Sequence, residues 1–317
     1  MSKTEMKKHI TSRSKLKYAV LAVILMVFTN CILAQEMNPP PMEFLKRDAM
    51  ILPKVKVIPI KDTQNNRQYE LYVKLPEGYS DTVGASYPVI YFTDAIWHVE
   101  VISGSAEYII ENAILVGISW QKDMDQELVA EAGEHVSRYR DYSIQPAEKP
   151  EIQTKYNLGQ GSKHLAFIEK DVIPYVERNF KTEPDNRTYF GYSAGGLFGA
   201  YIATVRPNTF KNYILGSPSV WRNMPLLTQF ADEKKASEET KANVFISYGS
   251  KETELETHIK SYVELVEEKM QNTLSLEHIV VDGTHQSAFP MTAVRGLYWL
   301  AEKLETGKKM DSLTGVE

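Results

Sequence analysis

A serine stands between glycines in the segment Gly191-Tyr192-Ser193-Ala194-Gly195. The run before it, 187–190, is typical of a strand end, and the run after it, 196–203, is typical of a helix that packs closely at its glycines. A G-x-S-x-G segment between a strand and a helix predicts a sharp turn that exposes the serine hydroxyl and aims it at the positive end of the helix. Glycines suit the flanking positions because side chains there would clash. We therefore predict that Ser193 is a covalent nucleophile.

A serine nucleophile needs an imidazole to accept its proton and a carboxylate to orient that imidazole. The usual chain order after such a turn is serine, acid, histidine. Of the seven histidines, only His285 lies in a loop after the last predicted strand. The other six are less suitable because they precede Ser193 or lie inside a predicted helix or strand: His9, His98, His135, His164, His258 and His278. We predict that His285 is the general base, and the alternative is a histidine of a surface turn.

The acid is expected in the loop after the strand predicted at 244–248, which contains Glu252 and Glu254. Glu252 is preferred because it is nearer the strand end. The alternative for Glu254 is an acidic residue in the first turn of the next helix, where a negative charge is favourable. Asp282 is a third candidate because it is close to His285 in sequence. The alternative for either glutamate is a solvated carboxylate at a helix start.

A tetrahedral intermediate needs two N–H donors for its oxyanion. Ala194, directly after the nucleophile, is predicted to supply one, and Ile96, in the loop expected after the third strand, the other. Trp97 and His98 are predicted to line the substrate pocket. The alternative places Trp97 in the core and His98 at the rim.

The alternation of short apolar runs with helical stretches predicts the α/β class. Eight strand-like runs occur at 55–60, 68–75, 89–93, 113–118, 188–191, 213–216, 244–248 and 276–281. The first two resemble an antiparallel hairpin, and the later ones resemble buried parallel strands. Helices are predicted at 165–179, 195–205, 254–271 and 288–304. The expected architecture is a mostly parallel eight-stranded sheet with helices on both faces and an N-terminal antiparallel hairpin.

The N-terminus has the pattern of an export signal. Residues 1–17 are rich in Lys and Arg, 18–33 are apolar, and Ala34 follows as a small residue, so 1–34 is predicted to be a signal peptide cleaved after Ala34. The alternatives are an uncleaved membrane anchor or a lipid on Cys31. A proline-rich linker is predicted at 35–43, one domain at 44–304, and a flexible tail at 305–317.

Composition excludes several classes of protein. The 317 residues are 43% hydrophobic and 24% charged, which is typical of a globular enzyme. The net charge of -5 supplies no basic surface for nucleic acid. Cys31 is the only cysteine, so the mature domain is expected to lack cysteine chemistry. No cofactor or metal is expected, because no histidines and carboxylates have ligand spacing.

Several motifs along the chain resemble those of the putative esterase family of α/β-hydrolases. That family includes siderophore esterases, S-formylglutathione hydrolase, feruloyl and acetylxylan esterases, and mycolyltransferases. The similarity extends over about 55–303, and its motifs lie in order at 87–94, 140–142, 173–176, 191–196, 217–221, 249–252 and 283–285.

The resemblance implies the α/β-hydrolase fold and specific roles for several residues. Ser193 matches the nucleophile, His285 the base and Glu252 the acid, while Ala194 and Ile96 match the oxyanion positions. Segment 120–161 matches the variable region that covers the active site. Two positions depart from the family: Ala95 stands where glycine is frequent, and Tyr192 stands where histidine is frequent. The Tyr192 side chain is expected to take no part in the chemistry.

We therefore predict an exported, periplasmic or secreted, serine ester hydrolase that acts through an acyl-enzyme. Its substrate is expected to be a siderophore lactone or an acyl or phenolic ester on a polysaccharide, bound in part by Trp97, His98 and Trp221. An acyltransferase with the same triad and a catalytically inactive binding module are the alternatives.

Overall fold

The computed structural model describes residues 54–233 and 241–314. The predicted signal peptide, Cys31, the linker at 35–43 and the predicted start of the domain at residue 44 lie outside the described residues. Within the described part of the chain, no helix is long and apolar enough to cross a membrane.

The centre of the fold is one eight-stranded sheet, in the order β1-β2-β4-β3-β5-β6-β7-β8. β2 pairs antiparallel with β1 and with β4, and all remaining pairs are parallel. The strands are β1 (Val55–Asp62), β2 (Arg67–Lys74), β3 (Tyr87–Phe92), β4 (Ile114–Ile118), β5 (Thr182–Tyr192), β6 (Asn212–Gly216), β7 (Ala242–Gly249) and β8 (Leu274–Val281).

Helices follow most of the strands. They are α1 (Ala95–Ile109), α2 (Gln126–Ala132), α3 (Ser137–Asp141), α4 (Pro150–Tyr156), α5 (Gly161–Phe167), α6 (Ile173–Asn179), α7 (Ala194–Val205), α8 (Met224–Glu233), α9 (Thr253–Lys269) and α10 (Ala288–Thr314). A π-helical stretch, Ile168–Val172, joins α5 to α6, and single 3₁₀ turns lie at Glu134–Val136 and Pro207–Thr209.

The helices cover both faces of the sheet, so the apolar strands β3 to β7 are buried on both sides. On one face, α1 and α10 pack against a cluster that includes Phe92, Ile102 and Leu297. On the other face, α5, α6, α7 and α9 pack against a larger cluster that includes Phe167, Phe198 and Tyr262. The predicted fold class is therefore confirmed: a mostly parallel eight-stranded sheet, helices on both faces and an N-terminal hairpin.

All eight predicted strands and all four predicted helices are present, but two predictions about helices were wrong. The segment after β3 was expected to be a loop, whereas Ala95 begins helix α1. Its buried residues include Ala95, Val99, Ile102 and Ala106, a spacing that fits one helical face. The last helix was expected to end at residue 304 but continues to Thr314; half of the added residues are good helix formers, namely Glu305, Lys308, Lys309, Met310 and Leu313.

The topology brings the loops after β5, β7 and β8 to one edge of the sheet. Parallel strands present their carboxyl ends at the same edge, where ligands bind in open α/β sheets. β5 ends at Tyr192 before Ser193, β7 ends three residues before Glu252, and β8 ends four residues before His285. Residues distant in sequence therefore meet above this edge.

Candidate active site

Ser193 occupies a strained turn between β5 and α7. Its φ of 56° lies in the left-handed region, which non-glycine residues seldom adopt. The backbone N–H of Ser193 donates to Gly216 O at 2.9 Å, and the N–H of Ser219 donates to Ser193 O at 3.1 Å. A Cβ added to Gly195 would lie 2.5 Å from Thr93 Oγ1. The glycine therefore lets the start of α7 approach the end of β3.

The structure brings Ser193, His285 and Glu252 together. Ser193 Oγ lies 2.8 Å from His285 Nε2, and His285 Nδ1 lies 2.6 Å from Glu252 Oε2. An ionised carboxylate can only accept, so Nδ1 carries the hydrogen and Nε2 accepts from the Ser193 hydroxyl. The hydroxyl of Ser219 lies 3.3 Å from Ser193 Oγ, and donates to it in this arrangement. Such a geometry can remove a proton from Ser193 as it attacks an electrophile.

Glu252 is buried, with 8% of its surface exposed. Burial alone raises the pKa of its carboxyl, but hydrogen bonds from His285, Ser217 and the Gly249 N–H together hold that pKa below its ordinary value. Ser217 Oγ and Gly249 N each lie 2.7 Å from Glu252 Oε1. The carboxylate is therefore ionised at neutral pH and oriented on both of its oxygens.

Two backbone hydrogen bonds hold the acid loop against the histidine loop. Ser250 N–H donates to Val281 O at 2.8 Å, and Lys251 N–H donates to Gly283 O at 2.9 Å. These bonds extend the pairing of β7 and β8 beyond the strand ends, so the distance between the two loops does not depend on side chains alone.

The other two candidate acids do not contact the histidine. Glu254 is exposed on the first turn of α9. Asp282 is also exposed and accepts a hydrogen bond from Ser250 Oγ at 3.0 Å. Of the three carboxylates considered from the sequence, Glu252 is the one placed beside His285.

Ala194 and Ile96 lie in the first turns of α7 and α1. The first N–H groups of a helix have no partner within it, and both helix starts carry partial positive charge. The approach of Thr93 to Gly195 brings the two helix starts close together. The arrangement suits an anion that forms beside Ser193.

The three predicted substrate-binding residues differ in exposure. Trp97 and Trp221 are each 48% exposed, so both can contact a ligand. His98 is only 6% exposed; its ring stacks on Phe289 at 4.4 Å, and its Nδ1 lies 3.0 Å from Thr93 O. The substrate-binding role predicted for His98 was wrong, because α1 turns this side chain into the core. Burial also lowers its pKa.

A cleft of about 540 Å³ opens beside the start of α7. Ala194 and Leu197 form its floor, and the segment 120–161 forms its walls, chiefly through Tyr139, Ile152 and Tyr156. The lining is mostly apolar, so the cleft suits an aromatic or aliphatic group attached to an ester. The segment 120–161, which was predicted to cover the active site, therefore lines a cleft beside Ala194, the residue directly after Ser193.

Sequence reasoning missed two pairings around this site. Arg138 of the covering segment pairs with the buried Asp94 at the start of α1. Tyr192, expected to take no part, donates its hydroxyl to His285 O at 2.7 Å, and Ser217 contacts both Tyr192 and Glu252. The serine next to a strand end and the tyrosine inside the G-x-S-x-G segment were the available signals.

Within residues 54–233 and 241–314, no group of three or more His, Cys, Asp or Glu side chains could hold a metal ion.

The fold and the arrangement of serine, histidine and glutamate define a serine hydrolase of the α/β-hydrolase class. The family model described as "Putative esterase" matches residues 63–290, and the chain belongs to that family. It is a serine esterase.

The chain is 28% identical over 235 residues to the ferri-bacillibactin esterase BesA of Bacillus subtilis, covering 68% of this chain and 75% of that one. It is 36% identical over 88 residues to the siderophore enterobactin esterase of Emericella nidulans, covering 26% of this chain and 29% of that one. The crystal structure of the BES protein from Bacillus cereus matches with a TM-score of 0.63 and 23% identity, covering 80% of this chain and 98% of that one.

Proposed function

We propose that this chain is an exported esterase that hydrolyses ester bonds of siderophores through an acyl-enzyme. The observation that carries the proposal is the continuous path from Ser193 Oγ through His285 to the buried Glu252. The names of the relatives BesA and the Emericella enzyme support a siderophore as substrate over a polysaccharide ester. Export rests on the N-terminal sequence pattern alone.

In the proposed reaction, Ser193 Oγ attacks the ester carbonyl carbon while its proton passes to His285 Nε2. The ester carbonyl oxygen becomes an oxyanion, and the N–H groups of Ala194 and Ile96 donate to it. Glu252 stabilises the imidazolium and keeps it in the orientation that accepts the proton. The imidazolium then protonates the leaving alcohol, and a water molecule activated by His285 releases the acyl group from Ser193.

Substrate contacts follow from the surface around Ser193. The mostly apolar cleft beside Ala194 is proposed to hold an apolar or aryl part of the ester. Trp97 and Trp221 each have a guanidinium over the ring, Arg138 at 5.0 Å and Arg222 at 4.3 Å. The charge of Arg138 is already paired with Asp94, so the exposed Arg222 beside Trp221 is the group proposed to meet a ligand that is both aromatic and anionic.

The test compares ester classes on the purified protein. Ferric bacillibactin, enterobactin, feruloyl and acetylated polysaccharides and p-nitrophenyl butyrate are each incubated with wild type and with Ser193→Ala, and products are identified by mass spectrometry. We expect the siderophores to have the highest kcat/KM and to give free acids, with all activity lost in Ser193→Ala. Turnover of polysaccharide esters alone would contradict the siderophore assignment. Products esterified to an added alcohol, in place of free acids, would favour an acyltransferase.

A further inference from the structure

Tyr192 and Ser217 connect the end of β5, which precedes Ser193, to Glu252 and to the loop that carries His285. Tyr192, the residue before Ser193, donates its hydroxyl to the backbone carbonyl of His285 at 2.7 Å. Ser217 Oγ lies 2.9 Å from Tyr192 Oη and 2.7 Å from Glu252 Oε1. A chain of hydrogen bonds therefore runs behind the site from the acid to the histidine loop.

The hydrogens in this chain can be counted. A carboxylate and a backbone carbonyl only accept, so Tyr192 must donate to His285 O, and Ser217 must donate to Glu252. Since Tyr192 has used its single hydrogen, the contact between the two hydroxyl oxygens depends on the Ser217 hydrogen as well. That hydrogen is shared between Glu252 and Tyr192 as a three-centre bond. This second path, from Glu252 to the backbone carbonyl of His285, therefore needs both hydroxyl groups.

The backbone and packing around the two hydroxyls are specific. Ser217 is fully buried and has a φ of 38°, a strained conformation that persists only where the surroundings enforce it. Tyr192 is 5% exposed, and a Cβ on Gly216 would overlap its ring. Burial raises the pKa of Tyr192, so its hydroxyl stays protonated and keeps its hydrogen for donation.

We propose that Tyr192 and Ser217 are positioning residues that hold Glu252 and His285 in line with Ser193. Their hydroxyls do not reach the reacting atoms, and they act through the carboxylate of Glu252 and the backbone of His285. This inference rests on the proposed roles of Ser193, His285 and Glu252. It adds that the side chain inside the G-x-S-x-G segment orients the site.

The test measures kcat, KM and the pH dependence of p-nitrophenyl butyrate hydrolysis for Tyr192→Phe, Ser217→Ala and the double variant. We expect each single change to lower kcat about 10- to 100-fold with KM within about threefold, because binding contacts are untouched. The double variant should lose less than the product of the two single losses, since the hydroxyls act as one unit. In Ser217→Ala the part of the acid limb of the kcat profile that reflects protonation of Glu252 should move to higher pH, because the Ser217 hydrogen bond lowers the pKa of Glu252.

Two matched controls remove a buried hydroxyl elsewhere. Tyr213→Phe deletes a hydroxyl that donates to Pro207 O at 3.0 Å, and Ser247→Ala deletes one paired with Thr292 Oγ1 at 2.6 Å. Both should retain kcat within about twofold. If Ser217→Ala does not fold, Ser217→Gly removes the same hydroxyl and accommodates the positive φ.

The outcomes separate the inference from the proposed function. If activity depends on Ser193, but Tyr192→Phe and Ser217→Ala have the kcat and the acid limb of wild type, the positioning role alone is overturned. Equal losses in Tyr213→Phe and Ser247→Ala would also overturn it, by showing a general effect of buried hydroxyl loss. Wild-type activity that persists in Ser193→Ala would instead overturn the proposed function.

Discussion

Arg138 binds the carboxylate of Asp94 through two hydrogen bonds, from Nε to Oδ1 at 2.9 Å and from Nη2 to Oδ2 at 3.0 Å. Asp94 is fully buried and also accepts from Trp120 Nε1 at 2.7 Å. Since Asp94 directly precedes α1 and Arg138 lies on α3, this pair fastens the covering segment to the start of the helix that carries Ile96.

Removing Arg138 should destabilise the fold strongly. Arg138→Ala leaves a buried carboxylate without its countercharge, which typically costs about 3–5 kcal/mol. The measurement is the free energy of unfolding in urea. Arg222→Ala is the matched control, because Arg222 is exposed, and it should change stability by less than about 0.5 kcal/mol. A loss below about 1 kcal/mol in Arg138→Ala would show that Asp94 does not depend on this partner.

The choice between the two loop glutamates can be tested by activity. Glu252→Gln should lower kcat by about 10³- to 10⁴-fold, because the amide cannot stabilise the imidazolium and favours the wrong tautomer. Glu254→Gln, two residues away and exposed, should remain within about twofold of wild type. A larger effect from Glu254→Gln than from Glu252→Gln would reverse the assignment of the acid.

His164 should make the fold sensitive to acid. Its ring is buried among Tyr69, Tyr142, Phe167 and Phe198, and neither nitrogen has a hydrogen-bond partner among the described residues. Burial lowers its pKa from the ordinary value of 6.5. Below about pH 6.5 the unfolded chain takes up a proton at this position and the folded chain does not. The free energy of unfolding therefore decreases as the pH is lowered.

The check compares unfolding free energies at pH 7.5 and 5.5. Wild type should lose up to about 1.4 kcal/mol more over this interval than His164→Phe, the most that one such histidine contributes over one pH unit. His278→Gln, which removes an exposed histidine, should behave as wild type does. An identical loss in wild type and His164→Phe would contradict the account.

The sequence was sufficient where the signal is local. The strands were predictable because continuous apolar runs alternate with helical periodicity, and Ser193 and His285 stand at fixed places relative to strand ends. The glycines on either side of Ser193 also indicate the sharp turn in which this residue has a positive φ. The sequence offers both Glu252 and Glu254 as the acid. The difference in their burial becomes visible only in the structure, where β8 pairs with β7.

Helix α1 was missed for a physical reason. Asp94 is a good capping residue, yet its side chain makes no cap hydrogen bond because Arg138 and Trp120 occupy it. Gly104 and the serines on either side of it also weaken the helical signal. As a result, His98 was assigned to a loop and to the pocket when it belongs to the core.

The remaining contacts depend on long-range packing. Arg138 and Asp94 are 44 residues apart, and Tyr192 and the carbonyl of His285 are 93 apart. A residue type alone does not indicate such a partner, because arginine and tyrosine side chains reach several neighbours. These pairings become visible only when the covering segment and the strand ends are placed in three dimensions.

Ser193 is proposed to be the nucleophile, activated by His285. The most direct measurement is reaction of the purified protein with a fluorophosphonate, followed by peptide mass spectrometry to locate the adduct. The account predicts one adduct per chain on the peptide that contains Ser193, no adduct in Ser193→Ala, and labelling at least about 100-fold slower in His285→Ala. An adduct on another serine, or undiminished labelling of Ser193→Ala, would contradict it.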